Sequence, residues 1–426
     1  MHLSTKIFFV VAIVCGSATT TLTQTQDVTA LVRNARVAYR EKNYSVLIEN
    51  LKQALVIRPN YGRYMYNIAV GYALNGNKDE AIAWLNRLAD MGLVYSIAAD
   101  DDFKSLRDTN EFKTVIEKFA ANRKPLGNSV KAFSIAEKGL VPEGLAYDPV
   151  EQTFYVGSVY KRKIVSVTAA GEAKEFSSPA DGLWSVMGMR VDPARRVLWV
   201  CTAAHAQMQN YNEAENGHSG IFKYDLKTKK LLKKYLVPVD SKNHWLGDLV
   251  LNSHGDVFAS DSLTPTIFVL NQKTERVEVF LESSQFVNPQ GLAFSADEKH
   301  LFMADYLTGV FVIDVKTKTP TLLKAPTSTM LGIDGLYYHG GKLIGVQNGV
   351  DPNRVVRLSL DKGLTRVERF EVLEANNPFF DEPTLAVLNG GELYYIANSQ
   401  WAAIDQKGNL AAADKLKDPV ILKLKL

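Results

Sequence analysis

Polar side chains of a few kinds recur at matched points of this 426-residue chain. One set stands just before or at the start of short apolar runs: Glu143, Gly247 with Asp248 after it, Gln290, Asp334, and Glu382 ahead of Pro383, with Met187 in the corresponding place of a sixth run. A second set closes the apolar run that follows each time: Ser158, Thr202, Asp261, Asp305, Gln347 with Asn348, and Asn398. Carboxylates and amides gathered in a narrow space repel one another unless a cation or a proton sits among them, and hard divalent cations take oxygen ligands of this kind. A bound divalent cation, Ca²⁺ first among them, is the expectation. The competing reading is that Asp261, Asp305 and Asp334 close turns, which aspartate does readily.

These residues converge only if the chain brings its runs to one place, and a repeat supplies the means. PQGLAFSADEKHLFMADY from Pro289 is followed by VFVIDV, a Lys-rich turn and TLLKA. Related units begin at Pro142, Met187, Gly247, Asp334 and Pro383. Two-residue alternation punctuated by Gly, Asp and Lys turns marks short antiparallel strands, and a period of about 40 to 50 residues marks a propeller or solenoid. Six units predict a mainly β fold, a six-bladed β-propeller over residues 131–426. Its first strand, KAFSIA from Lys131, and its last, DPVILKLKL, are free to share a blade and lock the circle. Adjacent strands being antiparallel, the start of each inner strand and the end of the second face the same mouth of the channel.

Residues 27–124 change period to between three and four. Leu31, Ala35, Ala38 and Tyr39 share one helical face, as do Leu47, Leu51, Ala54 and Leu55, and a further helix pair turns at Asn75-Gly76-Asn77. Small residues Ala69, Gly71, Ala73, Ala81 and Ala83 suit close packing, and the segment resembles tetratricopeptide units. It is expected either to dock a protein partner or to cap the propeller. Lys124 to Ser129 reads as a linker. Residues 1–26 carry Lys6, the run IFFVVAIVC and then a polar Ser/Thr stretch, the layout of a secretory signal too short to span a membrane, so a secreted or periplasmic location is expected. An anchor at Cys15 is the alternative, opposed by Val14. Cys201 is the only other cysteine, which leaves no intramolecular disulfide after cleavage; it reads as a small core residue. The net charge of +3, with acids and bases interspersed, indicates neither nucleic acid nor membrane surface as a partner. Lys227, Lys229, Lys230, Lys233 and Lys234 read as a solvated strand edge.

The units PEGLAYD, PQGLAFSADEKHLFMADY and DGLYY resemble the blade motifs of the senescence marker protein, gluconolactonase and luciferin-regenerating enzyme family. These are six-bladed, calcium-dependent propellers that hydrolyse sugar lactones and related esters. The resemblance covers residues 131–426 and implies a metal held by Glu143 and Asp334. Gln290 stands where that family has asparagine, keeping the amide oxygen one methylene further out. Gly247 stands where it has a second asparagine, so Asp248, Asp261 or water is needed to complete the shell. The implied chemistry is polarisation of a lactone carbonyl by the ion, with Asp334 or a neighbouring carboxylate taking a proton from water.

The remaining mouth residues, Asp261, Asp305, Asn348 and Glu382, are expected to contact the substrate. His244, in KNHWLGD, is a candidate to recognise or protonate it with Trp245; the alternative is a loop histidine bonded to backbone. His205 and His218 lie in an insertion, AAHAQMQNYNEAENGHSG, that reads as a lid, a specificity loop or plain surface. His254, His300 and His339 fall in turns on the far face. There is no G-x-S-x-G elbow and no H-E-x-x-H pair, so serine-hydrolase and zinc-protease chemistry lack support. The functional expectation is a metal-dependent lactone or ester hydrolase; its rival is a non-catalytic binding propeller with a helical docking domain.

Overall fold

The computed structural model describes residues 28–238, 240–325 and 327–426; the expected signal segment and Cys15 lie outside them. Six four-stranded sheets form the blades of a propeller. Their inner strands are Pro142–Asp148, Ser185–Asp192, Leu246–Leu251, Pro289–Phe294, Ile333–His339 and Ala386–Asn389. Each blade runs outward by antiparallel neighbours, so every sheet has two faces and both are covered by the next blades. The sixth blade is composite: Val130–Ser134 is its outermost strand and pairs with Val420–Lys425, Val130 opposite Lys423 and Ser134 opposite Val420. The ring is therefore closed by hydrogen bonds between the two ends of the domain.

One local feature decides where the mouth residues point. Five of the six inner strands slip register against their second strand, between Pro142 and Leu145, Val186 and Met189, Leu246 and Leu249, Pro289 and Leu292, and Ile333 and Leu336. A bulge leaves its extra residue outside the ladder and re-aims it. The residue inside each slip is Glu143, Met187, Gly247, Gln290 or Asp334, and all but the third are followed by glycine. That glycine is where neighbouring inner strands come closest: a Cβ on Gly144 would stand 2.1 Å from the Met187 carbonyl oxygen, and one on Gly291 2.5 Å from that of Asp334.

The N-terminal segment folds as α1 (Val28–Arg40), α2 (Tyr44–Ile57), α3 (Gly62–Leu74), α4 (Lys78–Asp90) and α5 (Asn110–Asn122). Leu31, Ala35, Ala38, Leu47, Leu51 and Ala54 are buried as their spacing predicts, but Tyr39 faces solvent and its hydroxyl bonds Asp102. The segment sits on the mouth side of blade five. Asn60 Nδ2 donates to the Ser328 carbonyl, Val94 N–H to that of Asp351, and Arg354 Nη1 to that of Met91. Arg354 is fully buried, its other acceptors being Gln347 Oε1 and Ser328 Oγ; burial brings its pKa down to about 10, so it stays charged at neutral pH. The expected linker is pinned: Leu126 bridges Ala375, and Ser129 N–H donates to Glu374. Cys201 is buried in a strand of blade two. Among the described residues no helix is long and apolar enough to cross a membrane.

Candidate functional site at the propeller mouth

Glu143 and Asp334, separated by 191 positions in the chain (334 − 143), come within electrostatic reach of each other. Glu143 is buried; its Oε2 accepts a 2.7 Å hydrogen bond from Trp401 Nε1 and a long one, 3.5 Å, from Ser399 Oγ. Burial, then the charge of Asp334, holds its carboxyl well above the usual carboxylate range, with Glu382 and Asp248 adding to the effect. Asp334 Oδ2 accepts from Asn348 Nδ2 at 2.8 Å, and the Asn348 side-chain oxygen accepts from the Tyr306 hydroxyl at 2.9 Å. Burial above all, with Asp248 and Glu382 behind it, raises Asp334 to about 7 in spite of the Asn348 bond. Among the described residues neither carboxylate forms an ion pair with lysine or arginine. Burial also pushes the Tyr306 phenol upward.

The other predicted residues divide between the mouth and its supports. Gln290 is at the mouth: its amide oxygen lies 3.3 Å from Ser262 Oγ and its nitrogen donates to Asn288. A Cβ on Gly247 would stand 2.5 Å from Ser262 Oγ and 3.2 Å from that same amide oxygen, so the place a side chain would take is filled by Ser262 and Gln290. Asp248, expected to complete the shell, is one residue deeper. Blade three reverses the order of the pair, Gly-Asp in place of X-Gly, so Asp248 occupies the position that is glycine in four other blades. Its Oδ2 accepts from Arg190 at 3.1 Å and its Oδ1 from Leu249 N–H, and it is 1% exposed. Arg190 in turn lies over the Tyr337 ring, 5.4 Å from its centroid. Blades two and five face each other across a six-membered ring, so this contact spans the channel and gives the mouth a floor.

Asp261, Asp305 and His244 differ from expectation. Asp261 is fully buried and accepts from Trp245 N–H, Leu263 N–H, Thr264 N–H, Thr264 Oγ1 and His244 Nδ1. Asp305, also fully buried, accepts from the N–H groups of Val287, Asn288 and Leu307. Both carboxylates are consumed in closing turns, as the competing reading of the sequence had it. His244 spends both ring nitrogens on carboxylates, Asp261 at 2.6 Å and Asp240 at 3.2 Å. The Asp261 bond, against the opposing effect of burial, raises its pKa. It is a strut for the loop that carries Trp245, with no nitrogen left for a substrate.

Three residues outside the predicted set shape the pocket. Trp401, in a short helical turn that belongs to no repeat, holds Glu143. Tyr306, just past the second strand of blade four, holds Asn348. Arg190, inside an inner strand, neutralises Asp248. The insertion also has a definite place: His205 stacks on Trp245, centroids 4.1 Å apart and planes 19° from parallel, and lies 5.8 Å from Trp401.

Among the described residues no three His, Cys, Asp or Glu side chains stand as a ready-made ion cage. The donor set present is the Glu143 and Asp334 carboxylates, the Gln290 amide oxygen and the Ser262 hydroxyl. All are hard oxygen donors, two of them ionisable carboxyls, which fits a Ca²⁺-like cation and not a soft one.

No family model matches the chain, and no curated protein sequence matches it. Its shape is similar to that of solved propellers. The pyrroloquinoline-quinone-bound aldose sugar dehydrogenase of Streptomyces coelicolor shares 13% identity at a TM-score of 0.48, over 71% of this chain and 99% of that one. A gluconolactonase of Xanthomonas campestris shares 14% at 0.47, over 72% and 92%. A luciferin-regenerating enzyme shares 17% at 0.47, over 70% and 96%. These likenesses concern the course of the chain and give no residue-by-residue correspondence.

Proposed function

We propose that this chain is a divalent-metal-dependent hydrolase of lactones or related esters, working at the propeller mouth. The observation that carries the reading is the approach of the buried Glu143 and Asp334 carboxyls, neither of which pairs with lysine or arginine among the described residues. Such a cluster is costly in isolation and is relieved by a cation. The family resemblance of the blade motifs supports the same two ligands. Glu143, Asp334 and the Gln290 amide would hold the ion; when bound, it supplies Lewis-acid polarisation of a carbonyl.

The protein's own groups do the rest. Trp401 fixes Glu143 through Oε2, and Asn348, itself held by the Tyr306 hydroxyl, fixes Asp334 through Oδ2. Among the described residues Asp334 Oδ1 accepts no hydrogen bond, so it is the atom available to take a proton from an attacking water. The Arg190–Asp248 pair and the Tyr337 ring close the channel below and limit water entry to the mouth. Secretion, resting on residues 1–26, and a tetratricopeptide-like docking role for α1 to α4 belong to the same proposal. The rival reading, a binding propeller without catalysis, draws on blade three, which offers no side-chain oxygen at its ring position.

Calorimetric titration of Ca²⁺ into the chelator-treated full chain, followed by hydrolysis of a panel of lactones with and without chelator, decides between them. Binding with chelator-sensitive turnover is expected. Binding without turnover leaves the rival; neither binding nor turnover removes the hydrolase.

A further inference from the structure

The mouth has a second side that the carboxylates do not use. Met187, at the ring position of blade two, is apolar and buried, and the partly exposed Trp245 and Trp401 pack with it. His205, from the insertion in blade two, completes the group. The three rings lie within 32° of parallel, with centroids 4.1 to 6.2 Å apart. Trp401 links the two sides, since its ring belongs to this cluster while its Nε1 holds Glu143.

His205 is the unusual member. It is 7% exposed, and its Nδ1 accepts from the Gln207 N–H at 3.3 Å. That bond assigns the lone pair to Nδ1 and the proton to Nε2. Nε2 is buried and has no hydrogen-bond partner among the described residues. A buried donor without an acceptor costs roughly 1–3 kcal/mol, and an apolar side chain of similar shape in its place would avoid that cost. The loop that carries it is anchored by Ala204 and Met208, which pack with Trp184 in a buried apolar cluster, and by the bonds of Gln209 N–H to the Tyr160 carbonyl and of Trp184 Nε1 to Glu215.

We infer that the His205, Trp245 and Trp401 rings form a ligand subsite, and that its occupant is an apolar ring bearing a hydrogen-bond acceptor that meets His205 Nε2. The inference rests on the hydrolase reading for the reaction and adds to it the substrate class: aromatic or otherwise apolar-ring lactones in preference to polyhydroxylated sugar lactones. The indole surface that His205 leaves uncovered takes the ring by stacking and exclusion of water, the imidazole N–H fixes its orientation, and the reacting carbonyl is left towards Glu143 and Asp334.

The test compares dihydrocoumarin, an aromatic lactone, with δ-gluconolactone in the full-length protein and in H205F and W245F. In the wild type kcat/KM is expected to favour dihydrocoumarin. In either variant the ratio of the two kcat/KM values should fall by about tenfold, the size of one lost hydrogen bond or stacking face, through KM for the aromatic lactone. H205F should at the same time leave the melting temperature unchanged or raise it, which separates a ligand-facing donor from a structural one. An unchanged ratio, or a wild-type preference for δ-gluconolactone, overturns the subsite. If neither lactone is hydrolysed the reaction assignment fails by itself, and the subsite is then read from quenching of tryptophan fluorescence by dihydrocoumarin. Saturable quenching weakened in H205F upholds it, and its absence overturns it.

Discussion

The two sides of the mouth solve opposite electrostatic problems with the same scaffold. On one, burial and mutual repulsion push the Glu143 and Asp334 carboxyls up, so that side gains from a proton or a cation. On the other, burial alone pulls the His205 imidazole down to about 3, so that side rejects a proton. Both sets of residues hang from bulged inner strands or from the loops beside them. What differs is the residue inside each slip: Glu or Asp in blades one and five, Met in blade two. A propeller can therefore place unlike environments a few ångströms apart by changing one residue per blade, the backbone staying as it is.

The most direct way to break the comparison is to remove the charge from the acidic side alone. E143Q and D334N should each lower lactone turnover by 10²-fold or more and abolish calorimetric Ca²⁺ binding. Binding retained in both would show that the ion belongs elsewhere. Next comes the floor beneath both sides. R190L leaves Asp248 buried without its partner, an effect of about 3 kcal/mol on unfolding by denaturant, and R190L with D248N should recover part of it. Equal stability of R190L and wild type would mean that the pair contributes nothing.

The pH response sharpens the contrast. His205 has a folded pKa of about 3 against an ordinary 6.5, so the unfolded chain takes up its proton first and stability falls as pH drops from 6.5 towards 3. Asp334 runs the other way in chelated protein. Its folded value of about 7 exceeds the ordinary 3.8, so the folded form keeps a proton that the unfolded chain releases, and stability falls as pH rises from 3.8 towards 7. Thermal melts of chelated H205F should lose part of the acid limb, and those of chelated D334N part of the neutral limb. Identical curves for both variants and wild type would refute the assignment. The smallest effect is expected at the helical segment: R354M should leave the propeller folded but make α1 to α5 more susceptible to limited proteolysis, because the Met91 carbonyl loses its donor.

The blade count, the closing strands and the identity of Glu143, Gln290 and Asp334 as mouth residues were legible because alternation and X-Gly steps repeat along the chain. Asp248 was misplaced for a definite reason: a Gly-Asp step looks like a neighbouring substitute for a lost ligand, yet in a register slip one residue further on is the opposite side of the strand. Asp261 and Asp305 end second strands as predicted, but whether a carboxylate faces the channel or its own turn depends on backbone N–H groups two or three residues away. Trp401 was out of reach, since it lies in irregular chain between strands and makes its key bond to a residue 258 positions earlier. The insertion marked His205 only as part of a polar loop; its stacking partners come from two other blades.

Closure of the ring by Val130–Ser134 against Val420–Lys425 has a bearing on how the molecule comes into being. During synthesis every blade but the composite one can assemble as it emerges, while the strand at 130–134 waits with an unpaired edge until residues 420–425 have been made. A chain lacking residues 420–425 would keep five complete blades and leave the 130–134 strand without its partner, an open seam with an adhesive edge.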